Sequence, residues 1–287
     1  MRKIKESRFL SFLAIILIYA VAGFVGVLVY KAVPWHFTLK LLIADIAATA
    51  VCFVFSLIFS NSSVYDPYWS VQPPFIILCF IISSGMNSSA LILLLAISFW
   101  AIRLTANWAY TFGNLTHEDW RYVMLKATTG RFYPVINFVG IHLVPTLVVY
   151  ACTLPAVYVI KEALKPNILF AIFICLSIFA TLIQAAADIE MQSFRKEKRQ
   201  GFIRDGLWKY SRHPNYLAEI LMWWGIALAS LSLMPSRPYL ILGAVLNTLL
   251  FAFVSIPMAE KRQSKKDGFE AYKNETRVLL PIPKKIK

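Results

Sequence analysis

Seven apolar runs, each long enough to cross a bilayer, recur along the chain and constrain its fold more than any other feature. They are Phe9–Tyr30, Leu41–Ser60, Ser88–Leu104, Val135–Ile160, Ile168–Met191, Tyr216–Leu233 and Leu240–Pro257. A hydrocarbon core about 30 Å thick takes roughly 20 apolar residues in a helix. Only helices and closed barrels satisfy their backbone groups there, and runs of this length read as helices. An eighth segment, Pro74–Ser84, is short for a span and reaches span length only with Trp69–Val71 added. The sequence therefore predicts an all-α, polytopic transmembrane helix bundle of seven or eight helices, the short segment either crossing or re-entering.

Charge placement orients the chain. Lys and Arg gather in Arg2–Arg8, Arg103–Arg131, Arg195–Arg212 and Lys261–Lys287. The remaining loops hold only Lys31, Lys40, Lys161, Lys165 and Arg237. By the positive-inside rule, both termini are expected in the cytoplasm. The formal charge of +14 then reports orientation and contact with anionic membrane lipids. A nucleic-acid partner would need a basic soluble domain, which a chain 59% hydrophobic and 15% charged does not contain. Arg2–Arg8 followed by Ala20–Ala22 resembles a signal peptide, but the apolar run continues to Tyr30, so an uncleaved first helix is expected. Cys52, Cys79, Cys152 and Cys175 lack metal or disulfide spacing and read as small core residues. Without a repeat or linker, residues 1–287 read as a single integral membrane domain, with no obligatory protein partner evident.

Polar residues inside apolar helices need partners and mark function by default. Gln184, Asp188, Gln192 and Arg195 share one face of the helix expected over Ile168–Met191 and its continuation. The stretch Gly206–Gly225, GLWKYSRHPNYLAEILMWWG, passes from basic and polar to apolar. Pro214 suits the first turn of a helix, and the cations Lys209, Arg212 and His213 beside a helix N-terminus suit an anion. A positively charged loop before a helix is the plainer alternative. Asn215 and Glu219 lie one turn apart, and a buried Glu219 calls for a donor such as Asn215, Arg212 or a ligand amide. Arg103, Asn107 and Tyr110 share another helical face. His117, Glu118 and Asp119 are consecutive, which is poor metal geometry, and no metal is expected. Asp66, among Tyr65, Tyr68 and Trp69, reads either as an acid able to polarise a carbonyl or as an Asp-Pro turn. Asp45, five residues after Lys40, reads as half of an interfacial ion pair.

GLWKYSRHPNYLAEILMWWG, preceded by Asp188…Arg195 and followed by FEAYKNETRVLLPIP, resembles the C-terminal domain of membrane steroid 5α-reductases. The bacterial branch of that superfamily also carries a DWRY segment like Asp119–Tyr122. Sterol reductases and isoprenylcysteine carboxyl methyltransferases share the RHPNY element. The resemblance covers roughly residues 100–285, so residues 1–99 are expected to be N-terminal helices and 100–287 the cofactor-binding region. It implies NADPH in a cytoplasm-facing pocket, with cofactor contacts at Arg103, Asp188, Arg195, Arg212, His213, Asn215, Tyr216 and Glu219. The family's glutamate and tyrosine that hold a substrate carbonyl have no counterpart here. Trp100 stands about where that tyrosine would be, and Asp66 and Tyr68 are the catalytic candidates in their place. The implied activity is NADPH-dependent reduction of a C=C bond in a lipidic, enone or enoyl substrate. The alternative is methylation of a lipid or prenyl carboxylate by S-adenosylmethionine.

Overall fold

A computed structural model describes residues 2–282. Its helices are α1 (Arg2–Glu6), α2 (Arg8–Ala32), α3 (Phe37–Ile58), α4 (Tyr68–Ser84), α5 (Ser88–Thr111), α6 (Trp120–Thr129), α7 (Tyr133–Ile136), α8 (Val144–Lys161), α9 (Ile168–Lys196), α10 (Pro214–Leu233), α11 (Leu242–Leu250), α12 (Ile256–Gln263) and α13 (Phe269–Glu275). The described residues form no strand, and the all-α expectation holds. Seven stretches are long and apolar enough to span: α2, α3, α5, Trp120–Lys161, α9, α10 and Pro238–Gln263. The short eighth segment is α4, 17 residues running through Pro73 and Pro74.

Two of the spans are composite, and proline explains why. Trp120–Lys161 passes through a π-helical segment, Asn137–Leu143, where Val144 N–H reaches back to Val139 O, immediately before Pro145. Pro238–Gln263 passes through a second, Phe251–Ser255, where Ile256 N–H reaches Phe251 O immediately before Pro257. A proline has no N–H for the helical ladder and crowds the preceding turn, and a shift to wider spacing accommodates it without breaking the helix.

The chain divides into two compact units, residues 1–76 with 104–154 and residues 77–103 with 155–287. In the first, α2 and α3 approach closely at Gly26, where an added Cβ would meet Ala44 O at 3.4 Å. Ile15, Ile18, Ala22, Ala48, Cys52, Tyr65 and Tyr68 build its core. The turn 61–67 is buried yet polar, and side chains settle its backbone demands. Asn61 Nδ2 donates to Leu115 O and His117 O, both at 2.9 Å, and Glu118 accepts Ser62 N–H at 2.7 Å. Glu118 also pairs with Lys126, while Asp119 caps α6 by accepting from Arg121 N–H. These two acids are thus spent on the fold.

In the second unit α9 and α10 run antiparallel, Asn167 before α9 donating to Ser232 O near the end of α10 at 3.0 Å. Helix packing in lipid favours small residues that let backbones approach. Gly225 is the closest point: an added Cβ would lie 2.8 Å from Phe173 O and 2.9 Å from Ser177 N. Gly225→Ala is therefore expected to destabilise by about 1–3 kcal/mol through overpacking, although alanine is the better helix former. A lowered detergent unfolding midpoint checks this, and an unchanged or raised midpoint refutes it. In the loop that joins the two helices, Gly206 holds a φ of +55° beside Glu190, whose carboxylate accepts Leu207 N–H at 3.0 Å. Of the cysteines, Cys52 and Cys152 are buried as expected, whereas Cys175 faces outward.

Candidate functional site

The polar centre of the second unit is Arg103, in the C-terminal half of α5. Its Nη1 donates to Asp188 Oδ2 at 2.9 Å, and its Nη2 donates to Gln184 Oε1 and, at 3.2 Å, to Glu219 Oε2. Glu219 also accepts from Gln184 Nε2 at 2.8 Å, from Trp100 Nε1 at 2.9 Å and from Trp223 Nε1 at 3.1 Å. Arg103 and Asp188 side chains are each 10% exposed and Glu219 is 6% exposed. Charges removed from water this far need pairing and hydrogen bonds, and here three helices supply both. One donor is left over: Arg103 Nε is buried without a partner.

Helical spacing explains the convergence. Trp100 and Arg103 lie three apart on α5, Gln184 and Asp188 four apart on α9, and Glu219 and Trp223 four apart on α10, each pair on one face. The donors expected for Glu219 were Asn215, Arg212 or a ligand amide; Arg103, Gln184, Trp100 and Trp223 fill that role. Trp223 was legible as the next residue down the face from Glu219. Trp100 was legible only as a neighbour of Arg103, since nothing in sequence links α5 to α10.

Arg212 and His213 belong to a second cluster. Arg212 Nε and Nη2 form a forked pair with Glu260 at 2.9 and 3.0 Å, and Nη1 donates to Lys273 O and Thr276 O. His213 Nε2 lies 2.9 Å from Glu260 Oε1. The segment after α12 is thereby held against the start of α10. Tyr272 hydroxyl donates to Trp208 O, Thr276 Oγ1 to Lys209 O, and Arg212 N–H to Arg277 O. Tyr216 stacks flat on His213 at 5.2 Å between centroids. The guanidinium of Arg212 and Nε2 of His213, expected at a phosphate, are directed to Glu260 of α12 and, for Arg212, to the carbonyls of Lys273 and Thr276. Asn215 is partly exposed, its Oδ1 accepting Tyr216 N–H at 3.1 Å.

Arg195 stands apart from that clamp. It is exposed at the end of α9 and acts electrostatically on Asp188. Partial burial, then Arg262 and Arg195 nearby, hold the Lys266 ammonium below the ordinary lysine range. Three cations so drawn together suit an anionic ligand.

The first unit separates Asp66 from Tyr68. Asp66 accepts from Tyr122 hydroxyl at 2.5 Å and lies 3.8 Å from Arg121 Nη2. Tyr68 hydroxyl points to Asp45 Oδ1 at 3.5 Å, and Gln72 Nε2 donates to Asp45 Oδ2. Asp45 is not paired with Lys40, whose ammonium lies over the Tyr30 ring at 4.8 Å. Residues five apart on a helix point about 140° away from each other, which turns Asp45 inward while Lys40 faces out. Burial pushes the Asp66 carboxyl up to about 6 from its ordinary 3.8, against the pull of Arg121. The folded state therefore holds this proton more tightly than the unfolded chain. Its stabilising contribution is complete below about pH 4 and lost as pH rises to about 6. Asp66→Asn should gain stability over the wild type across that window and hold a constant margin above it. A margin independent of pH in thermal unfolding would contradict this.

Seven helical stretches long and apolar enough to cross a bilayer mark an integral membrane protein of the helical, polytopic class. The chain belongs to the family described as "Protein of unknown function (DUF1295)", whose model matches residues 52–276, and that family belongs to the steroid 5-alpha reductase-like superfamily. Among curated proteins the chain is similar to Uncharacterized protein C594.04c of the fission yeast Schizosaccharomyces pombe. The two are 27% identical over 192 residues, covering 57% of this chain and 56% of that relative. The chain thus spans little more than half the length of the relative it matches. No solved structure matches it.

Proposed function

We propose that the chain is an NADPH-dependent membrane reductase of a conjugated C=C bond in a lipidic substrate, its cofactor site facing the cytoplasm. The observation that carries this reading is the Arg103 network. Two carboxylates, an arginine and two indole N–H groups meet among apolar helices, where such groups are costly and mark function by default. Family membership in a superfamily related to membrane reductases supports an enzyme.

Each residue has a part. Asp188, Glu219 and Asn215 would receive the amide-bearing end of the cofactor, with Arg103 Nε as a further donor. Arg195, with Arg262 and Lys266, would take its phosphates. Arg212, His213 and Tyr216 would act at one remove by fixing the tail that carries Arg262 and Lys266. NADPH, when bound, supplies a hydride. Asp66 and Tyr68 remain the proposed source of acid. A methyl donor without phosphates has no use for three gathered cations, so S-adenosylmethionine is the weaker reading.

Energy transfer tests the location. Trp100 and Trp223 meet edge to face at 4.9 Å beside Glu219. NADPH bound there is expected to quench their emission saturably and to emit in turn, with the transfer reduced in a Trp100→Phe/Trp223→Phe variant. Transfer equal in wild type and variant would place the nicotinamide elsewhere, and no transfer at all would remove the reading.

A further inference from the structure

The first unit contains a run of buried hydroxyls that ends at Tyr68. Tyr65, on the turn 61–67, has its hydroxyl 2.7 Å from Thr146 Oγ1 of α8. Thr146 Oγ1 lies 2.9 Å from Thr49 Oγ1 of α3. Thr49 acts on the neighbouring Tyr68 hydroxyl, beyond ordinary hydrogen-bond length, and that hydroxyl points to Asp45 at 3.5 Å. All five residues are buried, Thr49 and Thr146 completely. Asp45 has two neutral partners, Tyr68 and Gln72, and among the described residues no cation pairs with it. A carboxylate without a cation inside an apolar helix bundle is costly, and bearing a proton removes that cost.

A hydroxyl both donates and accepts, so a row of them can reverse its donor order. One proton enters at one end, one leaves at the other, and no atom is lost. Both tyrosine–threonine and threonine–threonine contacts are of this reversible kind, since either oxygen can be the donor. A purely structural network would use amides and backbone carbonyls equally well, as the neighbouring Asn61 and Ser62 contacts do. The turn supplies the outer end. Asp66 follows Tyr65 directly, its carboxyl is 14% exposed, and it bears on the Tyr65 hydroxyl electrostatically. The links from Thr49 to Tyr68 and from Tyr68 to Asp45 are long for O–H···O and must shorten for a proton to pass.

We propose that Tyr65, Thr146, Thr49 and Tyr68 form a hydroxyl relay carrying protons between Asp66 and the buried, proton-bearing carboxyl of Asp45. Its use rests on the reductase reading. Saturating a C=C bond adds a hydride to one carbon and a proton to the other; the reduced nicotinamide gives the hydride and is oxidised. The relay returns one proton from water, by way of Asp66, for each proton that Asp45 gives up.

Infrared spectroscopy of the full chain in detergent tests the relay without any substrate. A protonated-carboxyl C=O band, absent in Asp45→Asn, is expected at neutral pH. On transfer to deuterium oxide it should shift rapidly in the wild type. In Thr146→Val the shift should slow roughly tenfold, the scale set by one lost hydrogen bond, with the rate restored in Thr146→Ser. Tyr65→Phe interrupts the same path independently should Thr146→Val not fold. Absence of the Asp45 band, or an unchanged exchange rate in the interrupted variants, overturns the relay. NADPH stabilisation of the same wild-type samples is read in parallel. Its absence would remove the reductase reading while leaving the exchange result standing.

Discussion

Arg103→Met is expected to cost about 3–5 kcal/mol of stability, the usual loss when one partner of a buried ion pair is removed. The guanidinium holds Asp188, Gln184 and Glu219 together, and methionine leaves two carboxylates buried without a cation. Arg103→Lys should recover little. A single ammonium can reach one acceptor well but cannot reproduce the planar fork that serves three. Pairing Arg103→Met with Glu219→Gln should restore part of the loss, because one stranded charge is gone. The double variant would then be more stable than the single. Equal midpoints for Arg103→Met and wild type in detergent unfolding would show that the network is not buried as described.

Glu260→Ala should produce the second large effect, and a local one. Arg212 and His213 lose their shared carboxylate while remaining 5% and 8% exposed. Arg212 keeps two carbonyl acceptors, so the loss is placed at the low end of about 3–5 kcal/mol. It should fall mainly on the segment after α12, which the clamp holds to the start of α10. Trypsin cleavage at Lys265, Lys266 and Lys273 is expected to accelerate strongly, with cleavage elsewhere little changed. Uniform acceleration along the chain would mean that Glu260 supports the whole second unit. If the cation group at Arg195, Arg262 and Lys266 binds phosphate, the variant should also weaken NADPH binding without touching any cofactor atom.

The long helices were legible because a membrane span is a composition signal that needs no partner to read. Ile168–Met191 and Tyr216–Leu233 fall inside α9 and α10 to within a few residues at each end. The π-helical shifts were not foreseen, although Pro145 and Pro257 mark both places. Within a helix, spacing identified the face that joins Gln184 and Asp188 at Arg103, whereas Asn215, one turn from Glu219, is not among the partners of that carboxylate. Partners on other helices were beyond reach. Arg212 and His213 read as free cations because Glu260 lies on α12, remote in sequence. Asp45 was matched to Lys40 by proximity along the chain, although helical geometry turns the two apart. Its true partners, Tyr68 and Gln72, sit on the next helix at the same spacing of four that served so well on α9.

The central claim is that the chain binds a phosphate-bearing nicotinamide cofactor through the Arg103 network and the cations near it. The direct test is thermal stabilisation of the detergent-purified protein, titrated separately with NADPH, NADH and S-adenosylmethionine, with Asp188→Ala and Asn215→Ala alongside. The account predicts saturable stabilisation by NADPH that exceeds any response to NADH and is lost in both variants. Stabilisation by S-adenosylmethionine in place of NADPH would contradict it.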